Sequence, residues 1–99
     1  MTSAPVRIHP AALEEAHAAD WYGRRSMRAA EMFLDELDRA IERIGDRPGQ
    51  FPEYALGSRR MVLQRSPYLL VFRETVAGVE VIAVAHGRRC PGYWRDRVE

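Results

Sequence analysis

Lysine is missing from this 99-residue chain, and all 15 basic residues are arginine. No side-chain amine is therefore at hand to serve as a base or to form a Schiff base. A single cysteine, Cys90, excludes an intrachain disulfide, so nothing points to an oxidising compartment and the cytoplasm is the expected location. Long apolar runs are missing too. Tyr68 to Phe72 and Val81 to Ala85 are the longest, far short of the roughly 20 residues that span a bilayer, and 1–9 lacks the apolar core of a signal peptide. No membrane is expected among the partners. Nor is there a phosphate-cradling glycine loop, because Gly87 and Gly92 stand singly after a strand pattern with no helix behind them. His9, His17, His86 and Cys90 lack zinc-ligand spacing, and a Cys90–His86 catalytic pair would need a geometry that the local sequence does not supply. No metal and no cofactor are expected.

What is present fits one domain, 1–99, with one core. The formal charge of +1 conceals an asymmetry: Met1 to Ser58 hold seven arginines against ten acidic residues, and Arg59 to Glu99 hold eight against four. The balances are −3 and +4. A basic second half suits an acidic partner or a phosphate backbone, although part of that arginine simply solvates the surface.

Val6 to Ile8 reads as a short strand, ended by His9-Pro10. A helix follows from Ala11 to Tyr22, with Glu14 and Glu15 in its first turn, where the positive end of the helix dipole favours acids. Its small face of Ala12, Ala16 and Ala19 allows another element to approach closely, Leu13 widens the apolar stripe, and Gly23 closes it. Ser26 is placed to cap a second helix, in which Ala30, Phe33, Leu34, Leu37, Ile41 and Ile44 recur at steps of three and four. Gly45 ends that run. Arg28, Glu31, Asp35, Asp38, Arg39, Glu42 and Arg43 make its solvated face. The stretch 46–58, with Pro48 and Pro52, is the longest irregular one, and Phe51 and Tyr54 are expected at the edge of the core.

Arg59 to Arg65 alternates as a strand does, Ser66-Pro67 interrupts, and Tyr68 to Glu74 resumes. Ala77-Gly78 turns the chain into Val79 to Ala85, which is β-branched and apolar on both faces, the pattern of a central strand covered on each side. The expected class is α+β: an N-terminal helical hairpin packed on a three- to four-stranded antiparallel sheet, in which Val6 to Ile8 adds an edge to a three-stranded meander.

Beyond Ala85 the strand stops, and His86, Arg88, Arg89, Tyr93 and Trp94 follow, punctuated by Gly87, Pro91 and Gly92. With Arg60, Arg65 and Tyr68 they form the candidate binding set. Arginine forks two parallel hydrogen bonds to a carboxylate or phosphate, and aromatic rings stack on bases or fill interface pockets. An acidic peptide and a nucleic acid fit equally. A structural reading carries the same weight: Arg65 pairs with an acid at the core's edge, Tyr68 fills the sheet, and Trp94 covers the end of the last strand.

The chain resembles, almost end to end, the RelE/ParE family of toxins from bacterial type II toxin-antitoxin modules. The matching pieces are Ile8-His9-Pro10-Ala11-Ala12, Trp21-Tyr22, Phe33-Leu34-Asp35-Glu36-Leu37, Pro48, Arg59-Arg60 and Arg65-Ser66-Pro67-Tyr68. The closing Val84-Ala85-His86-Gly87-Arg88-Arg89-Cys90-Pro91-Gly92-Tyr93-Trp94-Arg95 is the most specific and resembles the ParE-like branch. The resemblance implies a cytoplasmic, growth-inhibiting protein held inactive by a cognate antitoxin. Such an antitoxin carries an acidic, amphipathic tail that orders on binding, using apolar grooves for affinity and the toxin's arginines for register.

ParE-like members are associated with inhibition of DNA gyrase, whereas RelE-like members cut messenger RNA in the ribosome. Such cleavage needs a base for the 2′ hydroxyl, an acid for the leaving oxygen and cations around the phosphate; Arg65, His86, Arg89 and Tyr93 are the candidates. The lysines that RNA-cutting relatives use are missing, and Asp96 is the carboxylate nearest the basic tail in sequence. The arginine expected just after the third strand falls at Gly87 or Arg88. The resemblance therefore implies a toxin that acts by binding, gyrase first, with an mRNA endonuclease as the alternative and a non-toxic antitoxin-binding relative as the third reading.

Overall fold

A computed structural model describes residues 4–22 and 27–98, with 20–22 described by their helical backbone alone. Gly23 and Ser26, the expected helix stop and cap, lie outside the described residues, as do the side chains of Trp21 and Tyr22. The elements run β1 (Val6–Ile8), α1 (Pro10–Tyr22), α2 (Met27–Asp46), β2 (Arg59–Val62), β3 (Tyr68–Thr75) and β4 (Gly78–His86), with 3₁₀ turns at Pro48–Gln50, Ala55–Gly57 and Arg95–Arg97. The strands form one four-stranded sheet in the order β1-β4-β3-β2. No helix among the described residues is long and apolar enough to cross a membrane.

β2, β3 and β4 form the expected antiparallel meander. β1 joins β4 in parallel, so the sheet is mixed rather than antiparallel throughout. No hairpin ties β1 to its neighbour, and a crossover containing two helices leaves the parallel sense open to it. Main-chain bonds fix the register: Val79 N–H donates to Pro5 O at 2.8 Å and His9 N–H to Val81 O at 2.9 Å.

Both faces of the sheet are covered, which explains why β4 lacks a polar face. Between the pairs Phe72–Val81 and Val71–Ala83 the register shifts by one residue, a bulge that leaves Ile82 unopposed on β3. Val79 and Val81 before it and Val84 after it face the helices, packing with Ala12 and Ala16 of α1 and Leu37, Ala40 and Ile44 of α2. Ile82, Ala83 and Ala85 join Leu69 and Val71 beneath Trp94 on the other face. Phe51 packs edge-to-face on Phe72 at 5.6 Å, inside the core rather than at its edge.

Three local expectations are corrected. Leu13 and Leu34 are exposed: the alanine face brings α1 close to the sheet and turns Leu13 outward, and the buried stripe of α2 runs through Leu37, Ala40 and Ile44 and leaves Leu34 outside it. Glu14 and Glu15 lie past the first turn, since α1 begins at Pro10. Gly45 is a buried residue inside α2, which continues to Asp46. A β-carbon there would stand 3.1 Å from both Ala4 O and Val6 Cγ2, so this glycine permits the approach to β1 rather than ending the helix.

Candidate functional site

β1 has three residues and β4 has nine, so among the described residues no strand lies beside the outer edge of β4 past His9. The bulge turns Ile82 C=O and Val84 N–H toward that bare edge. Unpaired edge groups are costly when buried and adhesive when exposed, and two side chains fill the gap. Glu15 Oε1 accepts the Val84 N–H at 3.2 Å, and Arg97 Nη1 donates to Ile82 O at 2.9 Å and to Glu15 Oε1 at 2.6 Å. Tyr93 Oη donates to Glu15 Oε2 at 2.6 Å, and Arg89 Nη1 lies 3.5 Å from the same oxygen. One carboxylate from α1 thus gathers Tyr93, Arg97 and Arg89 from the C-terminal segment. The Tyr93 phenol is pushed well above the usual range, by burial first and then by its hydrogen bond to Glu15 and that carboxylate's charge. It is a fixed neutral donor.

From this cluster a continuous stack runs across the face opposite the helices. The Arg89 guanidinium lies 3.8 Å over the Tyr93 ring, Tyr93 meets Trp94 edge-on at 5.3 Å, Trp94 stacks on Tyr54 at 5.5 Å, and Arg60 lies 5.0 Å over Tyr54. Arg60 reaches it because its register partner Val71 belongs to the layer beneath Trp94. Trp94 itself is fully buried, so it holds the two ends of the stack together rather than meeting a ligand.

Arg65, Tyr68 and His86 sit elsewhere, in a groove of about 420 Å³ between α2 and the loop joining β2 to β3, walled by Met32, Phe33 and Pro67. Glu36 fixes that loop: its Oε2 accepts the N–H of Gln64 at 2.8 Å and of Arg65 at 2.9 Å. Tyr68 and His86 are register partners with rings 5.5 Å apart, edge to face, and Phe33 approaches Tyr68 at 6.1 Å. His86 Nδ1 accepts the Arg88 N–H at 3.1 Å, which puts the proton of the neutral ring on Nε2.

The structure therefore divides the eight sequence candidates. Arg60, Arg89, Tyr93 and Trp94 form the stack; Arg65, Tyr68 and His86 share the groove; Arg88 is exposed beside His86. Glu15, Tyr54 and Arg97 belong with the first group and Glu36 with the second, and sequence reasoning passed over all four as site residues. Spacing alone would have found Glu15, which stands three residues after Ala12 and four before Ala19, on the buried flank of α1. Arg97 carries no such signal. Among the described residues, no group of three or more His, Cys, Asp or Glu gathers closely enough to hold a metal ion.

The family model for the ParE toxin of the type II toxin-antitoxin system, parDE, matches residues 6–91. No curated protein matches the chain. Among solved structures, one described as the chromosomal ParDE TA system from P. aeruginosa superposes with a TM-score of 0.74, covering 85% of this chain and 96% of that one at 12% identity. At that identity the likeness is one of fold: two helices on a four-stranded mixed sheet.

Proposed function

The chain belongs to the ParE toxin family of type II toxin-antitoxin systems, and from that premise we propose that it arrests bacterial growth by binding DNA gyrase and is neutralised by a cognate antitoxin. The observation that carries a binding mode is the engagement of Tyr93 and Arg89 by Glu15. A general acid must give up its proton near working pH, whereas the Tyr93 hydroxyl is held neutral and bonded to a carboxylate. Arg65 and His86 line the groove, whose lining includes neither Arg89 nor Tyr93, which supports binding over cleavage by these four residues acting on one phosphate. The groove's apolar walls, with Arg65 at the rim, suit an acidic amphipathic tail of the antitoxin. Both encounters belong to the cytoplasm.

Ribosome-dependent mRNA cleavage is the second reading. The observation in its favour is that Arg65, Tyr68 and His86 share one groove. Induced expression separates the readings. Gyrase binding gives growth arrest, DNA-damage signalling and loss of supercoiling by purified gyrase, reversed by the antitoxin. Rapid transcript cleavage with supercoiling intact would replace it with the nuclease reading, and undisturbed growth would leave an antitoxin-binding relative without toxicity.

A further inference from the structure

Leu56 bears two costs at once. It sits at φ +60° and ψ +38°, the left-handed region that a β-carbon disfavours and that glycine or asparagine occupies more readily. It is also 54% exposed, so burial does not offset the strain. Among the described residues it is the only non-glycine with positive φ.

The surrounding turn enforces this conformation. Ser58, itself buried, donates its hydroxyl to Ala55 O at 2.6 Å, and Tyr54 N–H donates to Ser58 O at 2.7 Å. Ala55 and Tyr54 pack on the layer beneath Trp94. The turn is thus held at both ends, and Leu56 is presented at its tip. Strained residues persist where the surroundings over-determine them, and they gather at functional sites.

The neighbourhood is that of an interface. A β-carbon at Gly92 would stand 3.7 Å from Leu56 Cδ1, so the leucine lies against the turn that carries Tyr93, Trp94 and the exposed Arg95, whose N–H donates to Gly92 O. The stack from Arg60 to Arg89 runs through Tyr54, two residues before Leu56, and through Tyr93 and Trp94 of that turn. The arginines and tyrosines of this stack are the residue types enriched at binding hot spots, and Leu56 adds an exposed apolar side chain on the turn next to them in sequence. Arg89 remains 55% exposed despite its contact with Glu15. The partner's complement is an apolar pocket with a carboxylate-rich rim.

We propose that Leu56 is the apolar anchor of the surface that meets the protein target, entering such a pocket while Arg60, Arg89 and Arg95 meet its acidic rim. This rests on the gyrase reading and adds to it: the target and the antitoxin use different faces, the Leu56 corner for one and the Arg65–Tyr68–His86 groove for the other.

Leu56→Asn tests it, with Leu56→Gly as a second variant, because both relieve the backbone while removing the anchor. The expected result is a melting temperature equal to or above that of the original protein and antitoxin affinity within about twofold. Inhibition of gyrase supercoiling is weaker by at least about tenfold, as expected for truncation of an interface anchor. Inhibition that survives both substitutions overturns the anchor and leaves the gyrase reading standing. A melting temperature that falls with inhibition makes Leu56 structural and overturns it as well, and loss of antitoxin affinity with inhibition intact assigns the corner to the wrong partner. If the unsubstituted protein leaves supercoiling untouched, the gyrase reading falls and the anchor falls with it.

Discussion

Glu15→Ala gives the most direct check on how the C-terminal segment is held. The substitution removes the acceptor for the Tyr93 hydroxyl, the Val84 N–H and the Arg97 guanidinium. The Glu15 and Arg97 side chains are 16% and 18% exposed. Breaking a fully buried ion pair by removing one member costs about 3–5 kcal/mol, and residual water at this rim brings the expected loss to about 2–3 kcal/mol. Because 1 kcal/mol shifts the midpoint of a domain this size by about 4–8 °C, thermal unfolding followed by circular dichroism should fall by roughly 10–20 °C. Amide exchange should locate the damage, with protection lost first at Val84 and on the segment carrying Tyr93 and Arg97. Glu14→Ala, one position away and exposed, is the control and should melt within a degree or two of the original. A Glu15→Ala protein that melts with the control would show that Arg97 and the strand edge do not depend on the carboxylate, and the account of that edge would be wrong.

Leu37→Asp and Leu34→Asp, on the same helix, should behave oppositely. Leu37 is in the core and Leu34 is 46% exposed, so an unpaired carboxylate costs several kcal/mol at the first and little at the second; soluble yield and melting curves decide. Arg89→Ala should change the melting temperature by no more than a few degrees, because its contact with Glu15 is long and wet, yet should weaken target inhibition. Arg97→Ala should unfold the protein early, and equal melting of the two would contradict the geometry. The raised Tyr93 pKa carries a definite sign. The folded state holds the phenol proton more tightly than the unfolded chain does, so the associated stability is complete below about pH 10 and is lost as pH rises beyond that. Denaturant unfolding of Tyr93→Phe across this alkaline range should show a shallower decline than the original; parallel curves would mean that the phenol is not held by Glu15.

Periodicity carried most of the architecture. Steps of three and four placed α2, Ala12, Ala16 and Ala19 marked the face of α1 that meets the sheet, and the doubly apolar run from Val79 to Ala85 identified the strand with a layer on each side. The parallel sense of β1 was not legible, because three residues whose neighbour lies some seventy positions further on carry no turn from which direction follows. The bulge at Ile82 was hidden for a related reason. In a strand buried on both faces, a change of phase leaves the apolar pattern unaltered. The candidate set was legible as chemistry but not as geography. Arginine and aromatic content after β4 suggests a binding surface, yet whether Arg65 joins Arg89 depends on which side of the sheet each strand end delivers its side chain.

The short first strand explains why a structural cluster and the proposed binding surface share residues here. Had β1 continued alongside β4 to His86, main-chain bonds would have completed the edge, and neither Glu15 nor Arg97 would have had a buried main-chain partner there. Because β1 stops at Ile8, side chains must finish the edge. Glu15, arriving from the helix face, can do so only by drawing Arg97 and Tyr93 around the rim from the opposite face. Tyr93 then carries Arg89 on its ring and abuts Trp94, which links it to Tyr54 and Arg60. The cationic rim is thus held in place by the same contacts that close the sheet. Within it, Arg97 is bound in three directions, to both Glu15 oxygens and to Ile82 O, whereas Arg89 has the Tyr93 ring beneath it, one long contact with Glu15 and more than half of its side chain exposed. An arginine already saturated has little left to offer a partner, while one held by a ring and a single long ion pair keeps free donors and has already lost part of the rotamer freedom that binding would otherwise cost. On these grounds the proposed target contact falls to Arg89 rather than to the better-bonded Arg97, and Arg89→Ala should weaken inhibition more than its small effect on melting would suggest.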